Sequence, residues 1–261
     1  MQKAVFIAKQ KALDSIEGEF DRLYYGCEFC ERLIPGEERL THAISCADER
    51  GMEFTFVTPF ATDFGMDKLL ALLPWLAQER PGTEVVVNDW GTLHLISDRK
   101  LDLEPVLGRL LTKQKRGPRI MRVLDRTPEA MHDHFRRSNV DVPVLKQFLE
   151  SKRVHRVELD NLIQGIVRDP AMPASLYYPY LYVTTTRLCL SNSCDHRTHP
   201  LRAIEPCGRE CQTYTFGLTH KDMPVKLMLR GNTQFYRNDT LPDNLDELGI
   251  DRLVFEPDLP L

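Results

Sequence analysis

Four cysteines, Cys189, Cys194, Cys207 and Cys211, fall within 23 residues as C-x4-C-x12-C-x3-C. Two close pairs of thiolates make a complete coordination shell. Four soft, strongly donating sulfurs satisfy either a tetrahedral zinc ion or a 4Fe–4S cluster without help from elsewhere. The plainer readings are disulfides or unliganded thiols, since free cysteine is among the most buried residue types. Disulfides fit poorly, because the cysteine total of seven is odd and the opening MQKAVFIAKQ is too short in its apolar run for a secretory signal. A chain of 261 residues can also bury a core without covalent staples. The expectation is therefore a metal site on a cytoplasmic protein. Spacing does not separate zinc from iron–sulfur, and Leu188, Leu190, Tyr214 and Phe216 could shield a cluster or simply be core. His196 and His199 lie inside the x12 loop and could ligate, although charged neighbours such as Asp195 favour a solvated loop.

The elements that must position these thiols read as alternating strands and helices, the pattern of βα units on a parallel sheet. Strands are expected at 3–8, 21–25, 53–58, 84–88, 104–107, 153–160, 180–185, 225–230 and 251–256. Helices are expected at 37–50, closed by Gly51, at 67–78 with Leu69, Leu70, Leu72, Leu73 and Leu76 at helical spacing, just after Asp89-Trp90-Gly91, at 143–151, and around 244–248 before Gly249. Eight or nine strands with interleaved helices predict an α/β fold of (β/α) barrel type, TIM-like and possibly incomplete, with an open doubly wound sheet as the other choice. The whole chain, 1–261, reads as one domain carrying a cysteine-rich cluster-binding segment at 187–214. The strand at 180–185 leads straight into that segment.

In a barrel, polar residues just after the strands converge at the C-terminal face. Here those are Cys27, Cys30, Thr58, Asn88, Asp89, Arg109, Asp160, Asn161, Thr184 to Arg187, Gly231 and Asn232. Asn88, Asp89, Glu158, Asp160 and Asn232 are the candidates for binding or orienting a substrate. Structural roles compete with that reading: a helix N-cap for Asp89 and Asp160, an ion pair with Arg153 or Arg156 for Glu158, and a turn for Gly231-Asn232. No catalytic residue can be named. There is no HExxH helix and no GxSxG elbow, which argues against a peptidase.

A net charge of -4, with no apolar stretch near the roughly 20 residues a membrane span needs, describes an ordinary globular chain. The charge argues against a protein built to coat nucleic acid, though not against RNA contact through a local patch. Arg109 to Arg122 (RLLTKQKRGPRIMR) is such a patch, with no acid in it. A solvated helix end running into the Gly-Pro turn is its plain reading, and contact with an anionic substrate, partner or RNA the other.

YYGCEFCERL (24–33), VVVNDWG (85–91), the stretch from TTTRLCLSNSC to EPCGREC, and LMLRGNTQFY together resemble the collagenase-like peptidase family of the U-thirty-two type. The likeness runs from about Lys3 to Leu253, with no motif between Met121 and Lys152, and is strongest to the branch of the oxygen-independent ubiquinone-biosynthesis hydroxylation proteins UbiU and UbiV. The resemblance implies a whole or partial barrel, a cysteine-held 4Fe–4S cluster in preference to zinc, and a part in oxygen-independent hydroxylation of a quinone precursor. A homologous protein subunit is the implied partner, beside a small-molecule substrate. For the ligands it implies two sets: Cys30 with Cys194, Cys207 and Cys211, or, through the Arg187-Leu188-Cys189-Leu190 context, the local quartet. The local quartet is preferred because it leaves less loop to order. Cys27 and Cys46 are read as non-ligands.

Overall fold

A computed structural model describes residues 1–192 and 207–261. Cys194, His196 and His199 therefore lie outside the described residues. The strands in chain order are β1 (Gln2–Ile7), β2 (Arg22–Gly26), β3 (Glu53–Val57), β4 (Thr83–Val87), β5 (Leu103–Leu107), β6 (Val157–Asp160), β7 (Ala174–Tyr178), β8 (Tyr180–Thr185), β9 (Phe216–Leu218), β10 (Leu227–Arg230), β11 (Thr233–Arg237) and β12 (Ile250–Phe255). Eight of them close a parallel barrel in the order β1-β12-β7-β6-β5-β4-β3-β2, which is a TIM-like α/β barrel. The other four form a separate antiparallel sheet, β8-β11-β10-β9, inserted between the last two barrel strands.

Helices α1 (Glu37–Glu49), α2 (Asp63–Glu79) and α3 (Trp90–Asp98) cover the outside between β2 and β5; α4 (Ile120–Leu124), α5 (His132–Arg136) and α6 (Pro143–Ser151) follow before β6. Outward-facing strand residues such as Val5, Leu23, Phe54, Phe56, Val85 and Leu103 pack with Leu40, Leu69, Leu73, Leu76, Leu93 and Ile96 of the helices into the main core. Among the described residues no helix is long and apolar enough to cross a membrane.

Several expectations need correction. The segment 180–185 is a strand, as is 227–230, but neither belongs to the barrel. The sixth barrel strand begins only at Val157, because the chain must first turn out of α6 through Arg153 at φ +59 while Val154 N bonds back to Leu149 O at 2.9 Å. At 244–248 there is a run of turns instead of a helix, with Leu248 N on Asn244 O at 3.1 Å. Gly249 then reverses the chain at φ +62 and leads it into β12. Helix α2 starts at Asp63, four residues before the expected Asp67, because Gly65 allows its first turn to lie on Glu31: a Cβ there would meet the Glu31 side chain at 2.7 Å.

The bore of the barrel is filled. Phe6, Tyr24 and Tyr177 pack edge-to-face across it with centroids 6.1 Å apart, alongside Ala4, Val57, Val86, Val106 and Val254. Below this layer Arg252 donates to Glu84 Oε2 and to Tyr24 Oη at 2.7 Å, and Tyr24 Oη donates to Glu158 Oε1 at 3.1 Å. Glu158 is fully buried and its other carboxylate oxygen has no partner among the described residues. Burial, opposed by Arg252 and Arg156 and helped by Glu84, pushes its carboxyl up to about 7. Such a group contributes stability below the unfolded value of 4.5 and loses it as pH rises through about 7. A shift of that size corresponds to about 3 kcal/mol at most. Glu158→Gln is therefore expected to match the parent in urea denaturation near pH 4.5 and to be the more stable protein at pH 8.5. Parallel pH profiles for the two would refute this.

Candidate metal centre

Three separate pieces of chain bring thiols to one cavity of about 280 Å³, lined by Cys30, Cys189, Cys207 and Cys211. Cys30 follows β2 at the C-terminal end of the barrel. Cys189 follows β8, and Cys207 and Cys211 return toward β9. Phe29, Leu33, Phe60, Phe64 and Leu261 supply apolar wall. Of the expected local quartet, the structure thus brings together Cys189, Cys207 and Cys211, with Cys194 outside the described residues, and it adds Cys30. Among the described residues no three His, Cys, Asp or Glu side chains are drawn together about one point as ligands of a single ion.

Two of the sulfurs face N–H donors. Arg209 N reaches Cys207 Sγ at 3.3 Å, with Arg209 held at φ +62, and Gln212 Nε2 reaches Cys211 Sγ at 3.8 Å. Burial nevertheless pushes the Cys30 thiol up to about 11, the Arg32 amide opposing and the thiols of Cys211, Cys189 and Cys207 adding to the rise. Burial likewise raises Cys189 and Cys211. A buried thiol is stabilised as a thiolate when it shares a cation, and N–H donors aimed at sulfur are what a set of metal-bound thiolates requires. The donor set fits a thiolate-ligated centre.

Gly231-Asn232, the turn between β10 and β11, ties the thiol-bearing segments together. Asn232 Nδ2 donates to Phe29 O at 2.7 Å and to Thr186 O at 2.6 Å, linking the Cys30 loop to the approach to Cys189. Gly231 O accepts from Ser191 N at 3.2 Å. Gly231 has φ +61, and a Cβ on it would lie 3.2 Å from Cys211 Cβ and 3.3 Å from Leu261 Cδ1. Gly231→Ala is expected to cost about 1–3 kcal/mol through its backbone conformation alone, visible as a lower thermal midpoint. An unchanged midpoint would mean that the turn relaxes freely.

The other candidate residues lie elsewhere. Asn88 is buried and structural in its bonding: Nδ2 donates to Thr58 O at 2.9 Å and Oδ1 accepts from Leu110 N at 3.1 Å. Asp89 is the N-cap of α3, accepting from Gly91 N at 2.7 Å. Glu158 is inside the bore, bonded to Tyr24 and not to Arg153 or Arg156; Arg156 pairs with Asp251 instead. Asp160 does not cap a helix but joins a buried ionic cluster. Of the five, Asn232 alone lines the cysteine cavity among the described residues. Cys27 and Cys46 are both buried, Cys27 against Phe29, Tyr182, Phe235 and Leu259, and Cys46 with its thiol 3.7 Å from Leu13 O.

The ionic cluster closes the barrel mouth beneath the cavity, and sequence reasoning did not find it. Arg109 donates from Nε and Nη2 to Glu28, from Nη2 to Glu256 Oε1 at 2.7 Å, and from Nη1 to Asp160 Oδ1 at 3.0 Å and Tyr180 O at 3.2 Å. Its guanidinium lies 3.8 Å from the Tyr177 ring centroid. Arg116 joins Asp160 from the other side and donates to Arg109 O at 2.6 Å. The basic segment read as solvated thus buries two of its arginines, because three strand-end carboxylates wait for them there. The signal was a cation directly after one strand facing acids directly after three others: Glu28 after β2, Asp160 ending β6, and Glu256 after β12.

A second cavity of about 330 Å³ adjoins the first, sharing Leu33 and Arg209 with it, and is lined by Lys9, Lys11, Arg39, Tyr25, Gln10 and Gln212 among others. No protein-family model matches this chain, and no curated protein matches it. Among solved structures it is similar to human YKL-39, described as a pseudo-chitinase with retained chitooligosaccharide binding properties, at 10% identity and a TM-score of 0.39 over 97% of this chain and 91% of that one. So distant a superposition carries no argument about what this chain does.

Proposed function

We propose that the protein is an iron–sulfur protein that takes part in oxygen-independent hydroxylation, of a quinone precursor and as one subunit of a hetero-oligomer. The observation that carries the iron–sulfur reading is the meeting of Cys30, Cys189, Cys207 and Cys211 at one apolar-walled cavity on the barrel mouth. The preference for a cluster over zinc rests on the sequence resemblance, since four thiolates serve either. Cys30, Cys207 and Cys211 are three of the ligands in this reading, and the fourth comes from the Cys189 to Cys194 stretch. When bound, a 4Fe–4S cluster supplies one-electron transfer or an iron corner able to take an oxygen donor.

The chain's own contribution is to hold the thiols, aim N–H groups at them and exclude water with Phe29, Phe60 and Leu261. The filled bore leaves no room for a substrate inside the barrel, so in this reading the substrate meets the centre from outside the mouth. The hydroxylation and the quinone precursor rest on the sequence resemblance, since fold alone does not fix chemistry. Anaerobically purified protein is expected to be brown, with broad absorbance near 400 nm and roughly four iron and four sulfide per chain. Colourless protein holding one zinc would instead support a zinc-stabilised binding or assembly protein. For the reaction, cells grown without oxygen should show a quinone precursor gaining one oxygen atom, a mass change lost in the Cys207→Ser strain.

A further inference from the structure

Positive charge is concentrated around the thiol cavity of a chain whose net charge is -4. Arg32, Arg187 and Arg209 line it, and Lys68 lies close enough to Arg209 and Cys30 to feel both. Among the described lining residues Glu31 is the one acid, and it accepts hydrogen bonds from Thr62 N at 2.6 Å and Thr62 Oγ1 at 2.9 Å. The adjoining cavity continues the same sign with Lys11 and Arg39.

An aromatic ring stands in the middle of this charge. Phe64, in the first turn of α2, is 52% exposed, with the Lys68 ammonium 4.4 Å and the Arg32 guanidinium 5.8 Å from its ring centroid. Arg32 and Lys68 lie against the ring, with the exposed Asp63 and Asp67 beside it in α2, and an exposed aromatic with an arginine is the pairing enriched at the centres of protein–protein interfaces. Redox encounters use small interfaces of this kind, held and steered by opposite charge. Cys30, Cys189 and Cys207 are half-buried and line the same cavity as these cations.

We infer that the basic rim of Arg32, Lys68, Arg187 and Arg209 around Phe64 is the docking surface for an acidic one-electron carrier protein. The inference rests on the iron–sulfur reading. A carrier docked there would bring its redox group to the cavity where Cys30, Cys207, Cys211 and a fourth thiol would hold the cluster, and a bound cluster would take the one electron that the reduced carrier gives up, with no bond made or broken. A basic carrier would be repelled by the rim, and a neutral one would gain no steering from it.

The test is anaerobic stopped-flow reduction of the cluster-loaded full chain, with a reduced plant-type ferredoxin as the acidic probe and dithionite as a small reductant. The ferredoxin rate constant is expected to fall about ten-fold between roughly 20 and 200 mM ionic strength. At low salt it should fall about five-fold in Arg187→Glu and Lys68→Glu, and by a similar factor in Phe64→Ala. Absorbance near 400 nm identifies the variants that fold and hold their centre, and in those the ferredoxin rate should fall by a larger factor than the dithionite rate, because dithionite is a small anion that needs no docking surface. Coloured protein whose ferredoxin rate ignores salt and all three variants overturns the docking surface alone. So does single-stranded RNA that binds the parent tightly, blocks ferredoxin and loses affinity in the same variants, since the rim is then a nucleic-acid surface. Colourless protein overturns the iron–sulfur reading and the docking surface with it.

Discussion

Cys30→Ser leaves the protein colourless. Five cysteines, Cys30, Cys189, Cys194, Cys207 and Cys211, compete for four positions, and Cys30 is the one contributed from far away in sequence, by the loop after β2. It lines the same cavity as three of the others, and their thiols add to the rise that burial imposes on its own. A serine hydroxyl is a hard, weakly acidic donor that replaces a soft thiolate poorly. Cys30→Ser, Cys207→Ser and Cys211→Ser should each lose the absorbance near 400 nm and the bound iron, with the far-UV circular dichroism of the barrel retained. Cys27→Ser and Cys46→Ser should keep both, because one lies in an apolar cluster and the other on the buried face of α1. Of Cys189→Ser and Cys194→Ser, one alone should bleach the protein, which identifies the fourth ligand. Brown Cys30→Ser protein with full iron content would return the centre to the local quartet.

What the sequence reveals and what it hides follow from how local each signal is. The spacing of the cysteines marks a metal site because their sequence separation is short. That Cys30 comes to the same cavity is a tertiary fact, set by Asn232 bonding Phe29 O and Thr186 O across the barrel mouth, and only the resemblance hinted at it. Barrel strands β1 to β5 are legible as β-branched and aromatic runs between amphipathic helices. Strand β7 was missed, because Pro173 and Pro179 on either side of ASLYY argue against a central strand, while the structure keeps both prolines just outside it. The hairpin of β10 and β11 had a two-residue Gly-Asn turn signal, yet β11 went unread. Strand β8 was legible as a strand but not as a member of a second sheet, since alternation along a strand does not name its partners. The Asp89 cap needed only its immediate neighbours. The burial of Arg109 and Arg116 needed acids from three other strand ends, and periodicity carries no such information.

Arg109→Met is expected to be among the most damaging single changes outside the cysteines, lowering stability by about 3–5 kcal/mol, the usual result of stripping one partner from a buried ionic set. Two guanidinium groups, Arg109 and Arg116, face three carboxylates, Glu28, Asp160 and Glu256, and Arg109 alone reaches all three. Every one of those carboxylates is fully buried, and Glu256 already has one oxygen without a partner among the described residues. Burial drives Glu28 and Glu256 above the ordinary carboxyl value of 4.5, and Arg109 is the leading force pulling each back. Without it the carboxyls must hold protons that the unfolded chain releases, so the stability deficit should widen as pH rises above about 4.5. Arg109→Lys keeps the charge but loses the planar fork that serves several acceptors at once, and should fall between parent and Arg109→Met. Adding Glu256→Gln to Arg109→Met removes one stranded charge and should recover part of the loss. Urea titrations at pH 5 and pH 8 measure all four proteins, and an Arg109→Met midpoint equal to the parent at both would show that water replaces the guanidinium. The loss should also reach the metal centre, because Glu28 leads through Phe29 to Cys30 while Tyr180 and Tyr182, both bonded to Arg109, lead along β8 to Cys189. In cluster-loaded Arg109→Lys, faster bleaching by an iron chelator under conditions where the barrel stays folded would separate that positioning role from a loss of stability alone.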